Sequence, residues 1–169
     1  MRDDDVEAIV ALSLRAWEPV FASIHETVGQ QIFDYFYGGD WQGHQASDVR
    51  RACSAYQVSV AEDDGRVIGF TAVDLPPDGV EGEIYMVAVD PDAQGTGVGT
   101  QLTMAAVEDI RRAGKRAAVV ETGGDSAHAP ARATYHKAGF TPFPSERFYL
   151  LLDRAPEADA TGAASGISH

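Results

Sequence analysis

Gly95, Gly97 and Gly99 stand at alternate positions in the stretch AQGTGVGT, between an apolar run and an amphipathic segment. Glycines spaced this way let neighbouring backbone amides turn toward one point with no Cβ in the way. Behind them Val98, Leu102, Ala106 and Ile110 recur on one helical stripe, which stops at Gly114. The loop therefore opens onto a helix N-terminus, whose orphan N–H groups and partial positive charge suit an anion, a phosphate above all. Three readings of that loop compete. A P-loop requires a lysine directly after its last glycine, and Thr100 occupies that place. A dinucleotide fingerprint requires its third glycine where the chain has Leu102, although Glu121, at the end of the next strand, resembles its ribose-binding acid and keeps an oxidoreductase alternative open. The third is a glycine-rich turn that binds nothing.

The other reactive residue types narrow the field by their spacing. Cys53 is the single cysteine of the chain, so there is neither an intrachain disulfide nor a thiol pair for zinc or redox cycling. His25, His44, His136 and His169 show no ligand spacing with acids, and no metal is expected. A formal net charge of -13 argues against nucleic acid as a partner and is compatible with a cationic substrate such as an amine. No apolar run is long enough to span a membrane, and no basic-then-apolar leader opens the chain, so a soluble, cytoplasmic protein with no membrane partner is expected. With 169 residues and 44% hydrophobic content the chain suits one well-filled core.

Several elements must position the loop. Val6, Ile9, Val10, Leu14 and Trp17 share a helical face over residues 4 to 19, with Asp3, Asp4 and Asp5 at its start and Pro19 expected to end or kink it. A second helical pattern, from Ile24 to Tyr37, stops at Gly38 and Gly39; Trp41 to Gly43 read as loop, and residues 46 to 54 as a short helix. From Tyr56 the apolar residues alternate, and Asp63-Asp64-Gly65 joins this strand to Val67–Leu75 as an antiparallel hairpin. The run Ile84 to Val89 predicts a strand covered on both faces, broken by Asp90 and Pro91. After the glycine-led helix come a strand from Arg116 to Glu121, a loop over TGGDSAH, and a helix from Pro130 to Ala138 capped by Gly139-Phe140. Phe148 to Leu152 suggests a last strand, and residues 154 to 169 a disordered tail. The order of helices and strands predicts a mixed α/β fold, with a partly parallel, partly antiparallel sheet over residues 1 to 153.

Gln94, Gly97 and Gly99 in the order QxxGxG, after an apolar strand and the turn VDPDAQ, resemble the acyl-CoA loop of the GCN5-related N-acetyltransferase (GNAT) superfamily. ARATYHKAGF, residues 131 to 140, is similar to the superfamily's second signature, a helix with a tyrosine shortly before Gly-Phe. The match is strong over residues 56 to 152. It implies a twisted mixed sheet flanked by helices, in which the central strand and the next one splay apart. The pantetheine arm of acetyl-CoA, the implied cosubstrate, would pair with Val87, Ala88 and Val89. Its pyrophosphate would lie over the amides of Gln94, Gly95, Thr96, Gly97, Val98, Gly99 and Thr100.

The same resemblance implies the chemistry. An amine of a small molecule or peptide would attack the thioester directly, a backbone N–H near Val87 or Ala88 would hold the oxyanion, and Tyr135 would protonate the departing sulfur. Glu83, which opens the central strand in GEIYMVAVD, resembles a base found in histone-acetyltransferase-like members, with Glu121 as its rival; Tyr85 shares the Glu83 face. Where many members have an asparagine contacting coenzyme A, this chain has His128, able to donate, accept or act as base. The superfamily's first edge strand has no counterpart in MRDDDVEAIV. A non-catalytic acyl-CoA sensor is the alternative, a homodimer is compatible with either, and the acceptor region, residues 17 to 54 and 141 to 149, carries no readable motif.

Overall fold

The computed structural model describes residues 1–2 and 5–152; Asp3, Asp4 and the expected tail over residues 154 to 169 lie outside the described residues. Its elements run α1 (Asp5–Tyr37), α2 (Trp41–Ala55), β1 (Gln57–Asp63), β2 (Arg66–Asp74), β3 (Glu81–Val89), a 3-10 turn (Pro91–Ala93), α3 (Val98–Arg112), β4 (Ala117–Val119) and α4 (Ala129–Lys137). Among the described residues the strands form one sheet in the order β1-β2-β3-β4, antiparallel except for the β3–β4 pair. One parallel pair in an otherwise antiparallel sheet is a mixed α/β fold. It is unlike the all-parallel crossover architecture on which the dinucleotide reading depends.

The hairpin follows from its turn: Asp64 and Gly65 both have positive φ, 47° and 78°, the backbone twist that matches two right-twisted strands. Alternation then sorts the sheet's faces. Phe70, Ala72, Met86 and Ala88 meet Ile9, Leu12, Val49 and Ala52 of α1 and α2, while Val73 and Ile84 meet Ala106 and Ile110 of α3 on the other face. Phe70 is fully buried, and removing a side chain of that size from water contributes roughly 2 to 3 kcal/mol.

Two glycines of the sheet bring α3 close. A Cβ on Gly69 would stand 2.9 Å from Leu102 Cδ1, and one on Gly82 would stand 2.9 Å from Ile110. A side chain at either place would force Leu102 or Ile110, or the helix that carries them, to shift.

The structure moves several boundaries. Pro19 sits inside α1, and the break falls at Gly29, whose φ of 76° and ψ of 164° are open to glycine at little cost. The helix after it begins at Trp41, not residue 46: Asp40 accepts a hydrogen bond from Gly43 N at 2.9 Å, an N-cap that turns the expected Trp41–Gly43 loop into helix. β4 spans Ala117–Val119 only, shorter than the expected Arg116–Glu121. Phe148 to Leu152 is not a strand; it pairs with no part of the sheet, and Phe148 is 86% exposed. No strand precedes α1 among the described residues, so β1 is an edge. None of the described helices is long and apolar enough to cross a membrane.

Candidate active site

The site begins with a register change. Ala72 pairs with Met86 and Val73 with Ile84, which leaves Tyr85 as an extra residue on β3. Such a bulge turns two successive side chains to one face and increases local twist. Ile84 accordingly packs toward α3, Tyr85 and Met86 both pack toward α1 and α2, and Val87 returns to the α3 side. Beside the bulge the parallel ladder ends: Glu83 pairs with Val119, β4 stops there, and β3 continues to Val89. From Ile84 onward β3 therefore has an open edge, where alternate N–H and C=O groups face no strand among the described residues.

At the far end of that edge lies the glycine loop. Asp90, 1% exposed, ties it down: it forms ion pairs with Arg15 of α1 and, at 2.6 Å, with Arg66 of β2, and it accepts from Asp92 N at 3.1 Å. Burial alone would push this carboxyl up; the Asp92 amide and the two guanidinium groups outweigh it and hold the carboxyl below its ordinary value. The loop's own side chains turn inward, Gln94 Nε2 to Val89 O at 3.2 Å and Thr96 Oγ1 to Ala93 O at 2.6 Å. Gly97 starts α3 with φ 95° and no side-chain cap, and Gln101 N is the first amide to find a helical acceptor, Gly97 O at 3.1 Å. Among the described residues the amides of Gly95 to Thr100 are thus left without backbone acceptors, and they line one turn at the end of β3.

Next to the open edge, between β3 and the chain beyond β4, is a cleft of about 360 Å³. α1 supplies Trp17, Val20 and Phe21, α2 supplies Gln45 and Asp48, and β3 supplies residues 83 to 87. Val120, Glu121 and Thr122 form the opposite wall with His128, Ala131 and Tyr135. Among the described residues three carboxylates line it and no lysine or arginine does. Burial raises the Glu83 carboxyl above its ordinary value, and the charges of Glu121 and Asp74 raise it further. Tyr135 is buried, with its ring 6.0 Å from that of Phe140, and burial pushes its phenol up to about 12. Phe140 N donates to Tyr135 O at 3.0 Å, closing α4 as the Gly139-Phe140 signature implies.

Glu83, Glu121, His128 and Tyr135 therefore share one cleft, with Val87 at its edge. The Ala88 side chain points with Met86 into the core under α1 and α2, so Ala88 can meet a ligand only through its main chain. Gln94 to Thr100 form the separate loop, and His128 belongs to the cleft wall rather than to that loop. Of the aromatics between residues 17 and 41, Trp17 and Phe21 reach the cleft, whereas Trp41 stacks on Phe21 at 4.5 Å and Tyr37 meets it edge-on at 5.0 Å. No cluster of three or more potential metal ligands occurs among the described residues.

Sequence reasoning missed three participants. Asp90 read only as a strand breaker. Asp48 accepts from the Tyr85 hydroxyl at 3.0 Å, and Arg51 pairs with Asp48 and lies over the Tyr85 ring at 5.2 Å. Asp125 accepts from Ser23 Oγ at 2.8 Å and from Ala127 N at 2.9 Å, and stands 2.5 Å from His128 Nδ1. The last pair sits in a loop, and its sequence signal is only an acid three residues before a histidine in DSAH.

Comparison with known proteins extends these observations. A profile described as Acetyltransferase (GNAT) family matches residues 17–140. A mycothiol acetyltransferase of Saccharomonospora viridis is 32% identical over 153 residues, covering 80% of this chain and 42% of its own length. The chain thus spans less than half the length of the curated mycothiol acetyltransferases it matches. Among solved structures, the Paia N-acetyltransferase of Thermoplasma acidophilum in complex with coenzyme A superposes with a TM-score of 0.64 at 15% identity, covering 86% of this chain and 89% of that one. A GNAT family acetyltransferase of Brucella melitensis in complex with acetyl-CoA gives 0.56 at 24% identity, over 84% and 80%.

Proposed function

The chain belongs to the GNAT acetyltransferase family, and from that premise we propose that it transfers the acetyl group of acetyl-CoA to a primary amine in a ternary complex. The observation that carries the reading is the continuity of three features: unpaired amides at residues 95 to 100, the open edge of β3, and an acidic cleft without a lysine or arginine among its described lining residues. The first would hold the pyrophosphate, the second the pantetheine amides and the carbonyl oxygen, and the third a cationic acceptor. The relatives named mycothiol acetyltransferase favour a small-molecule acceptor over a peptide.

Each residue has a task in that reading. An N–H near Val87 or Ala88 stabilises the oxyanion as nitrogen attacks carbon. Glu83, its carboxyl raised by burial and by Glu121, accepts a proton from the nitrogen as the new bond forms. Tyr135 stays protonated across the working pH range and supplies the proton for the leaving sulfur. Cys53 is buried on the core-facing side of α2, so no covalent acyl-enzyme is invoked. The test is thiol release from acetyl-CoA across a panel of small amines, with calorimetric titration of acetyl-CoA and NAD. Binding and amine-dependent release support the transferase; binding without release with any amine selects the acyl-CoA sensor; NAD binding without acetyl-CoA binding returns the oxidoreductase.

A further inference from the structure

The loop between β4 and α4 holds a second proton-handling group. His128 Nδ1 lies 2.5 Å from Asp125 Oδ2, and the other carboxylate oxygen accepts from Ser23 of α1 at 2.8 Å and from Ala127 N at 2.9 Å. Arg132 of α4 donates to the carbonyls of Gly123 and Asp125 at 2.5 Å and 2.7 Å, fixing the turn that carries the pair. Gly123 makes room for it: a Cβ there would stand 2.5 Å from Asp125 Oδ2 and 2.5 Å from His128 Nδ1. With Nδ1 committed as donor to a carboxylate, the ring's Nε2 carries the lone pair, and His128 lines the acceptor cleft.

We propose, resting on the acetyltransferase reading, that His128 Nε2 deprotonates the incoming ammonium group, with Asp125 as its positioning residue. The ammonium N–H bond breaks, its electron pair stays on nitrogen, and an Nε2–H bond forms, giving an imidazolium that faces the Asp125 carboxylate. Acetylation of an ammonium removes two protons from nitrogen and places one on sulfur. Glu83 receives the proton lost as the C–N bond forms and Tyr135 supplies the one on sulfur; return of the Glu83 proton to the Tyr135 phenolate restores both groups, so the proton on His128 is the one net proton of the turnover, and it leaves to water. The titratable groups sharing the cleft with His128 are Asp48 of α2, Glu83 and Tyr85 of β3, Glu121 beyond β4 and Tyr135 of α4; Asp125 and Arg132 flank it, and α1 contributes the non-titrating Ser23, Trp17, Val20 and Phe21.

Two measurements test this. Nitrogen-15 NMR of the unliganded protein at neutral pH is expected to show the Nδ1–H tautomer of His128, lost in Asp125→Asn and in Gly123→Ala; an Nε2–H tautomer in the wild type overturns the proposal. The pH profile of kcat/KM with an accepted amine is expected to fall about 100-fold in His128→Gln with loss of its acidic limb. In Asp125→Asn and Gly123→Ala kcat/KM falls about tenfold, while acetyl-CoA affinity stays within about twofold. A His128→Gln enzyme that keeps the limb and stays within about threefold of the wild-type rate overturns the proposal alone. A wild type inactive on every amine instead overturns the acetyltransferase reading itself.

Discussion

The glycine loop and the cleft next to it are built from different material. From Asp90 to Thr100 one contiguous stretch offers main-chain amides, and the side chains of Asp90, Gln94 and Thr96 bond back to the main chain of the loop or of Val89 just before it. The cleft is the reverse: Trp17, Asp48, Glu83, His128 and Tyr135 come from four elements and a loop, and each contributes a side chain. A main-chain site tolerates change in side chains but not in φ or in close approach. A side-chain site depends on the packing that aims each group. The two halves should therefore fail differently, in binding for one and in turnover for the other.

The sharpest break should come at Tyr135. Tyr135→Phe removes the hydroxyl and keeps the ring that packs on Phe140, so the fold and the loop are unchanged. kcat is expected to fall by about 10² to 10³ with acetyl-CoA affinity intact, as measured by steady-state kinetics and calorimetry. Because burial holds the phenol near 12, the wild-type profile should show no basic limb from this group below about pH 11. Turnover that survives the substitution would remove Tyr135 from the chemistry.

Gly99→Ala probes the other half with a smaller effect. A Cβ at Gly99 would meet Val89 Cγ2 at 3.5 Å, an ordinary contact, and no positive φ demands glycine there. Stability should stay within about 0.5 kcal/mol or rise slightly through helix propensity. Acetyl-CoA should bind about tenfold more weakly, roughly 1.4 kcal/mol, if a phosphate lies against that amide. Unchanged affinity would move the anion away from Gly99. Gly97→Ala could not make this separation, since its φ of 95° would strain the backbone as well.

This division also explains how far the sequence could be read. The loop, α3, α4 and the hairpin were legible because glycine spacing, helical periodicity and a turn dipeptide are local signals. Gly139-Phe140 pointed to Tyr135 for the same reason. Asp125, Ser23 and Asp48 were not legible, because what gives them a role is a partner on a different element. The break in α1 was misplaced because Pro19 is the louder punctuation, yet Gly29 alone takes a φ that the helix cannot. Phe148 to Leu152 had the composition of a strand, but pairing is a tertiary property, and composition cannot supply the neighbour.

The smallest effect concerns what the cleft costs the fold. The Glu83 carboxyl is raised by burial first and then by Glu121 and Asp74, so folding disfavours its charged form. A carboxyl with a raised folded value leaves stability intact below the unfolded value, near 4.5, and removes it as pH rises through the folded value. Glu83→Gln should therefore make the protein more stable at pH 7, by less than about 1 kcal/mol given the partial exposure of the group, and indistinguishable from wild type well below about pH 4. Denaturant unfolding at both pH values measures it. A gain that persists in acid would come from packing instead of charge, and no gain at pH 7 would mean that the cleft solvates Glu83 well, which would weaken its case as the base more directly than any loss of rate.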